Sequence, residues 1–248
     1  MNIDISSQRV LVSAASTGLG KATACAFQRA GAKVAICARG VEQLEVARQE
    51  IEALTGKPVL SFVTDLSRAD DINNMMDNVL GQWGAVDVLV NNAGGPPSGN
   101  HDSIDDEQWG SAFDLTLRSA IRLTDRVLPG MKVSGSGRII NLSSYSVKQP
   151  LNSMLLSNSL RLGALGWAKT LSNEVAKYNI LVNTICTGWT KTQRIDQLIE
   201  ARAQAEGIDR QELASGLIAN IPLRRMAEPE EIAAVALFLA SPAASYIT

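Results

Sequence analysis

Eight residues near the amino terminus, Ser13-Ala14-Ala15-Ser16-Thr17-Gly18-Leu19-Gly20, have the composition of a phosphate grip. They follow a short apolar run and open a helical stretch, so free backbone N–H groups and the positive end of the helix dipole face outward together. An anionic phosphate is stabilised there. Ser13, Ala14, Ala15, Ser16 and Thr17 are small enough to let a pyrophosphate approach the backbone. The competing reading of these residues is an ordinary strand-to-helix turn.

Polar residues recur just after the later apolar runs. Arg39 follows Ala38 where a carboxylate would accept from a ribose 2′-hydroxyl. An arginine pairs instead with a 2′-phosphate, which favours NADP(H) over NAD(H); the alternative is a solvated, helix-capping arginine. Asp65, after VLSFVT, either accepts from an adenine amino group or caps the next helix. Asn91-Asn92-Ala93-Gly94-Gly95-Pro96-Pro97 is a turn of small residues able to line a cofactor with backbone.

These residues need elements to position them. Apolar runs predict strands near 9–14, 33–38, 58–64, 86–91, 138–143 and 180–186, alternating with helices near 18–30, 41–54, 68–82, 105–133, 153–178 and 228–240. Such alternation predicts a parallel sheet covered on both faces. Right-handed crossovers make it a single-domain, Rossmann-like, doubly wound α/β/α sandwich spanning 1–248, with ligands bound at the carboxyl ends of its strands. The segment 187–227 has no strand but carries two helical patterns, and is expected to form a helical lid at about 190–222.

Composition narrows the partners. Lys and Arg number 23 against 25 Asp and Glu, which argues against a nucleic-acid surface and for a small-molecule ligand. No run approaches the ~18 apolar residues of a membrane span and the start has no secretory pattern, so a cytoplasmic protein is expected. Cys25, Cys37 and Cys186 lie in apolar segments, away from metal-ligand spacing, and are expected to be buried reduced thiols. No metal site is expected. Apolar excess on the helix at 153–178 (Leu160, Leu165, Trp167, Leu171, Val175) predicts a homo-oligomer, dimer or tetramer, paired through that helix. Trp83, Trp109 and Trp167 fit helical packing, whereas Trp189 follows Gly188 at the expected mouth of the site.

The Ser13–Gly20 turn, Asp65-Leu66, Asn91-Asn92-Ala93-Gly94, RIINLSS at 138–144, VNTICTG at 182–188 and IPLRRMAEPEEIA at 221–233 together resemble the short-chain dehydrogenase/reductase family, in particular its 3-oxoacyl-carrier-protein-reductase-like members. The resemblance implies cofactor contacts at Ser13, Ala15, Ser16, Thr17, Gly18, Leu19, Arg39, Asp65, Leu66, Asn92, Ala93, Gly94, Arg161, Gly188 and Thr190, with Thr192 a further donor. It also implies a final strand beyond Thr248, whose absence would expose the sixth strand's edge. In such enzymes a Tyr and a Lys four residues later act with a Ser at the end of strand five. The Tyr protonates the carbonyl oxygen as hydride arrives, while the Lys lowers its pKa and holds the ribose.

The chain departs from that pattern at its centre. Ser144 matches the family serine, but the Tyr position is Ser157, the Lys position Arg161, and a helical Asn of the proton relay is Thr116. Ala14 replaces the first glycine of the turn and Thr187 a proline. Ser157 and Arg161 still share one helical strip, so the arginine can reach ribose hydroxyls, yet its pKa above ~12 bars it from titrating. A serine hydroxyl is a poor acid, so a substitute proton donor is needed. Lys148 is the favoured one; Tyr145 is a phenol that strand alternation turns away unless the strand has ended, and His101 is the only histidine. The expected catalytic set is therefore Ser144, Ser157, Arg161 and Lys148. The expected function is an NADP(H)-dependent carbonyl reductase or alcohol dehydrogenase with a nonstandard proton donor. The alternative is a catalytically silent dinucleotide-binding sensor or scaffold.

Overall fold

A computed structural model describes residues 3–248. Its six strands are β1 (Arg9–Val12), β2 (Lys33–Ala38), β3 (Val59–Val63), β4 (Val88–Asn91), β5 (Gly137–Ser144) and β6 (Ile180–Thr187). All pair in parallel, in the order β3-β2-β1-β4-β5-β6. The winding reverses between β1 and β4, and that switch point opens a crevice at the strands' carboxyl ends.

Helices cover both faces because successive strand side chains point to opposite sides. Val10, Val12, Val34 and Ile36 pack with Phe27 of α1 (Gly18–Arg29), Leu44 and Ile51 of α2 (Val41–Ala53) and, later in the chain, Ala236 and Leu239 of the last helix, Pro229–Ala240. Leu11, Ala35, Cys37 and Leu89 face the other way, onto α3 (Ala69–Trp83) and the long helices that follow it in sequence. Apolar side chains dominate both cores, as expected for a sheet buried on both faces, with a few buried polar groups such as Thr23 and Gln28 on α1.

The helix expected over 105–133 is one continuous run in three parts: α4 (Asp106–Phe113), a π-helical turn (Asp114–Arg118) and α5 (Ser119–Ser134). An Asp105–Gln108 capping box starts it and Gly135, left-handed at φ +63°, ends it. Helix α6 (Leu155–Val175) lies between β5 and β6 in the chain. The lid contains α7 (Gln193–Glu206) and α8 (Arg210–Ala219), and α9 (Pro229–Ala240) completes the fold. The lid has a small core of its own, Ile199, Ala203, Leu213 and Met226, with Trp189 packed against it.

Strand β6 forms the sheet's edge. The Val182 N–H donates to Thr248 Oγ1 at 3.0 Å and Asn183 Nδ2 to the Ile247 carbonyl at 2.8 Å, so residues 247 and 248 lie along part of that edge. Of the three free thiols only Cys37 is fully buried, its pKa pushed up to about 12 by desolvation; Cys25 and Cys186 are partly exposed, which corrects the expectation that all three are buried. No helix among the described residues is long and apolar enough to cross a membrane. No three His, Cys, Asp or Glu side chains among them are grouped to hold a metal.

Candidate active site

The turn after β1 is held by β4. Ser13 is buried; its Oγ donates to the Asn92 carbonyl at 2.7 Å and accepts from the Asn92 N–H at 2.9 Å. Asn92 Nδ2 in turn donates to the Ala14 carbonyl at 3.0 Å. Ala15 is buried in the core, and its N–H donates to the Cys37 carbonyl at 2.9 Å. Ser13 and Ala15 therefore brace the turn, while Ser16, Thr17, Gly18 and Leu19 line the cleft itself.

Two positions explain the turn's small residues. Ala14 has φ +47°, a left-handed conformation that favours glycine, so alanine is strained there. A Cβ on Gly20 would stand 2.4 Å from the Ala14 carbonyl oxygen and 2.7 Å from Asn92 Nδ2, so only glycine lets α1 sit this close to the turn.

The cleft occupies about 930 Å³ along the carboxyl ends of the strands. It runs from Arg39, past Leu66, Asn92, Ala93 and Gly94, to Ser144, Ser157, Arg161, Gly188 and Thr190. Asp65 is not among its lining residues; its Oδ1 accepts from the Ser67 N–H at 2.9 Å and the Ser67 hydroxyl at 2.7 Å, a local turn ahead of α3, whose N-cap is Arg68 with no side-chain cap, so Asp65 does not cap that helix either. Desolvation would raise the Asp65 pKa, but these bonds hold it below the ordinary carboxylate value. Lys148 and His101 are exposed and outside the lining.

Ser144, Ser157 and Arg161 do come together at one end. Ser144 Oγ accepts from the Ser146 N–H at 3.1 Å, and Ser157 Oγ accepts from Arg161 Nε at 3.2 Å. Each hydroxyl thus keeps its own proton to donate. Arg161 also points Nη1 at the Leu142 carbonyl, 3.5 Å away at the end of β5. Desolvation lowers the Arg161 pKa, and the charge of Arg194 lowers it further.

Tyr145 lines the same end. Strand β5 stops at Ser144, and Tyr145 begins a single 3₁₀ turn, so strand alternation no longer governs its direction. Its ring lies 6.3 Å from that of Trp189, another lining residue. Burial raises the phenol's pKa, partly offset by a hydrogen bond with Trp189 and the charge of Arg202. Arg194, not among the site residues expected from the sequence, also reaches in: its Nη2 donates to the Pro96 carbonyl at 2.8 Å.

Behind Arg161 lies a separate cavity of about 30 Å³, lined by Asn91, Thr116, Asn141 and Ser143 among others. Asn91 Oδ1, Thr116 Oγ1, Asn141 Nδ2 and Ser143 Oγ are buried with no protein partner. The space and the four polar atoms suit one ordered water. Thr116 belongs to the π-helical turn, an irregularity that widens the helix at the site.

With this geometry established, comparison with known proteins is specific. Residues 13–248 match the family described as enoyl-(acyl carrier protein) reductase. The 3-oxoacyl-acyl-carrier-protein reductase of Thermotoga maritima is 32% identical over 238 residues, covering 96% of this chain and 92% of that protein. D-beta-hydroxybutyrate dehydrogenase of Cupriavidus necator is 31% identical over 245 residues, covering 98% and 94%. Among solved structures, L-sorbose reductase of Gluconobacter frateurii, complexed with NADPH and L-sorbose, superposes with a TM-score of 0.94 at 30% identity, covering 100% of this chain and 95% of that one. An actinorhodin polyketide ketoreductase variant with NADPH superposes at 0.93 and 31% identity, covering 98% and 93%. An NAD⁺-bound xylitol dehydrogenase at 24% identity shares the fold. On the sheet order, the crevice and these relatives, the chain belongs to the short-chain dehydrogenase/reductase family of oxidoreductases.

Proposed function

We propose that the chain is an NADP(H)-dependent carbonyl reductase or alcohol dehydrogenase whose proton donor differs from the family's Tyr–Lys pair. One observation carries the reading: two serine hydroxyls with uncommitted protons, Ser144 and Ser157, line the end of a cleft whose middle is a braced glycine turn. The residues fit a dinucleotide. Backbone from Ser16 to Leu19 would hold the diphosphate at the start of α1, the absence of a Cβ at Gly20 keeps that approach open, and Arg39 would meet a 2′-phosphate. Arg161 would hold ribose hydroxyls. A bound nicotinamide supplies or accepts the hydride.

The chain's own groups manage the oxygen. In reduction, the Ser144 and Ser157 hydroxyls donate to the carbonyl oxygen as negative charge develops there. Arg161, donating to Ser157 Oγ, strengthens the second of these bonds through its charge. Neither serine is acidic enough to give up its proton. Tyr145 takes that role in this reading: it lines the cleft, and even with a raised pKa a phenol is a stronger acid than an alcohol, whose acidity is comparable to water's at about 15.7. The phenolic proton passes to the substrate oxygen, and solvent restores it. Lys148, the donor favoured on sequence grounds, is exposed and outside the lining, which weighs for Tyr145.

The test is turnover of ketones and alcohols followed at the nicotinamide absorbance. Tyr145→Phe should lower kcat about 100-fold or more, within the range of a general acid, with Lys148→Ala changing it far less. The reverse order restores Lys148 as donor. Dinucleotide binding with no turnover across the panel identifies the silent sensor or scaffold instead.

A further inference from the structure

We propose that the substrate carries a carboxylate, held between the guanidinium groups of Arg161 and Arg194 beside Ser144; this deepens the reading above and rests on it. The two arginines enter the cleft from different elements, Arg161 from α6 and Arg194 from α7. Arg161 points at the Leu142 carbonyl near the end of β5, and Arg194 is bonded to the Pro96 carbonyl in the loop after β4. Both line the same cleft, and the charge of Arg194 is near enough to act on Arg161.

Both groups have donors to spare. Among the described residues Arg161 uses Nε and Nη1, and Arg194 uses Nη2, while Nη2 of the first and Nε and Nη1 of the second have no hydrogen-bond partner. Neither forms an ion pair with a carboxylate. Among the described residues the only acidic side chain lining the cleft, Glu206, is already engaged by Arg202 at 2.6 Å. Two partly desolvated like charges facing one cleft are costly until an anion joins them, and a planar carboxylate suits two guanidinium forks. Arg194 also sits in the first turn of α7, the positive end of that helix's dipole, where a cation is disfavoured and an anion welcomed.

Of the two other arginines lining the cleft, Arg202 is paired with Glu206 and Arg39 lies elsewhere. Arg39 follows β2, three strand spacings from β5, or about 14 Å. It serves the adenosine end and does not reach a molecule beside Ser144. The diphosphate is the one rival anion, because Thr192, two residues before Arg194, packs 3.4 Å from where a Gly18 Cβ would be.

The experiment separates these sources. Oxalate, malonate and acetoacetate are titrated calorimetrically into the full-length protein, alone and saturated with NADP⁺, and NADPH affinity is followed by its fluorescence. At least one carboxylate should bind saturably, with Arg194→Ala weakening it about tenfold or more, Arg194→Lys less, and NADPH affinity moving less than about threefold. Circular dichroism of both variants checks that they fold. A tenfold loss of NADPH affinity with carboxylate binding unmoved assigns Arg194 to the diphosphate and overturns the proposal. Absence of heat from all three carboxylates at tens of millimolar overturns it too. Failure of NADPH to bind is a separate result: it refutes the dinucleotide reading, while titration of the protein alone still reports on the two arginines.

Discussion

Gly20→Ala tests the architecture of the turn with a single methyl group. The added Cβ would lie 2.4 Å from the Ala14 carbonyl oxygen, 2.7 Å from Asn92 Nδ2 and 2.9 Å from the Ala15 Cα. Two of these are backbone atoms that cannot rotate away, and the third is the amide that ties Asn92 to Ala14. Ordinary contact needs roughly 3.5 Å, so α1 must retreat by about an ångström or the Asn92 bond must break. Overpacking of this kind costs about 1–3 kcal/mol, and the better helix propensity of alanine returns at most about 1 kcal/mol. A net loss near 2 kcal/mol lowers Tm by about 4–8 °C in a chain of this size. The same retreat draws the N–H groups of α1 away from a diphosphate, so NADPH affinity should fall by at least about tenfold, or 1.4 kcal/mol. Thermal unfolding with and without NADPH, together with a fluorescence titration, reads both effects. A variant with unchanged Tm and unchanged NADPH affinity would refute the packing argument.

Other perturbations address separate parts of the account. Ala14→Gly relieves a left-handed alanine at φ +47° and should raise stability by up to about 1 kcal/mol, seen as a higher Tm; an unchanged or lower Tm contradicts the strain. Arg39→Ala should weaken NADPH about tenfold, near the lower end for a charged hydrogen bond, and leave NADH within about twofold; equal losses for both remove the 2′-phosphate role. Asp87 accepts from Arg9 Nη2 at 2.6 Å and from Arg9 Nε at 2.8 Å, and these bonds outweigh desolvation to hold its pKa below the ordinary 3.8. A depressed acid contributes stability above its unfolded pKa and loses it as pH falls through the folded value. The stability advantage of the wild type over Asp87→Asn should therefore be about 1–2 kcal/mol at pH 7 and shrink as the pH falls below 3.8 through the folded value, read as a narrowing difference in Tm. A pH-independent difference would show that the pair's charge is irrelevant. On size exclusion, a dimer or tetramer that Leu162→Glu dissociates is the expected result, since Leu162 is exposed on α6; a wild-type monomer contradicts pairing through that helix.

The sheet was legible because each buried strand is a short apolar run and each crossover a helical period, both local signals. β2 spans Lys33–Ala38 as expected, and other strand limits moved by one or two residues. The lid was legible for the same reason: Ile195, Leu198, Ile199 and Arg202 fall within α7. What failed to show was non-local. The direction of Tyr145 depends on the chain turning into a 3₁₀ turn right after Ser144, which alternation alone does not reveal. Ser13 and Ala15 brace the turn because Asn92 and Cys37 come to them across the sheet. Arg194 approaches Gly95 and Pro96 from nearly a hundred residues away, a pairing only the tertiary fold creates. Asp65 fitted two readings equally, and its turn with Ser67, outside the cleft lining and short of the α3 N-cap, matches neither.

Titrating NADPH and NADH separately into the protein, with nucleotide fluorescence as the signal, tests the central claim that the cleft grips a phosphorylated nicotinamide dinucleotide. The account predicts saturable NADPH binding below about 100 μM, at least −5.5 kcal/mol, with NADH weaker. No saturable binding of either nucleotide up to millimolar concentration would contradict it.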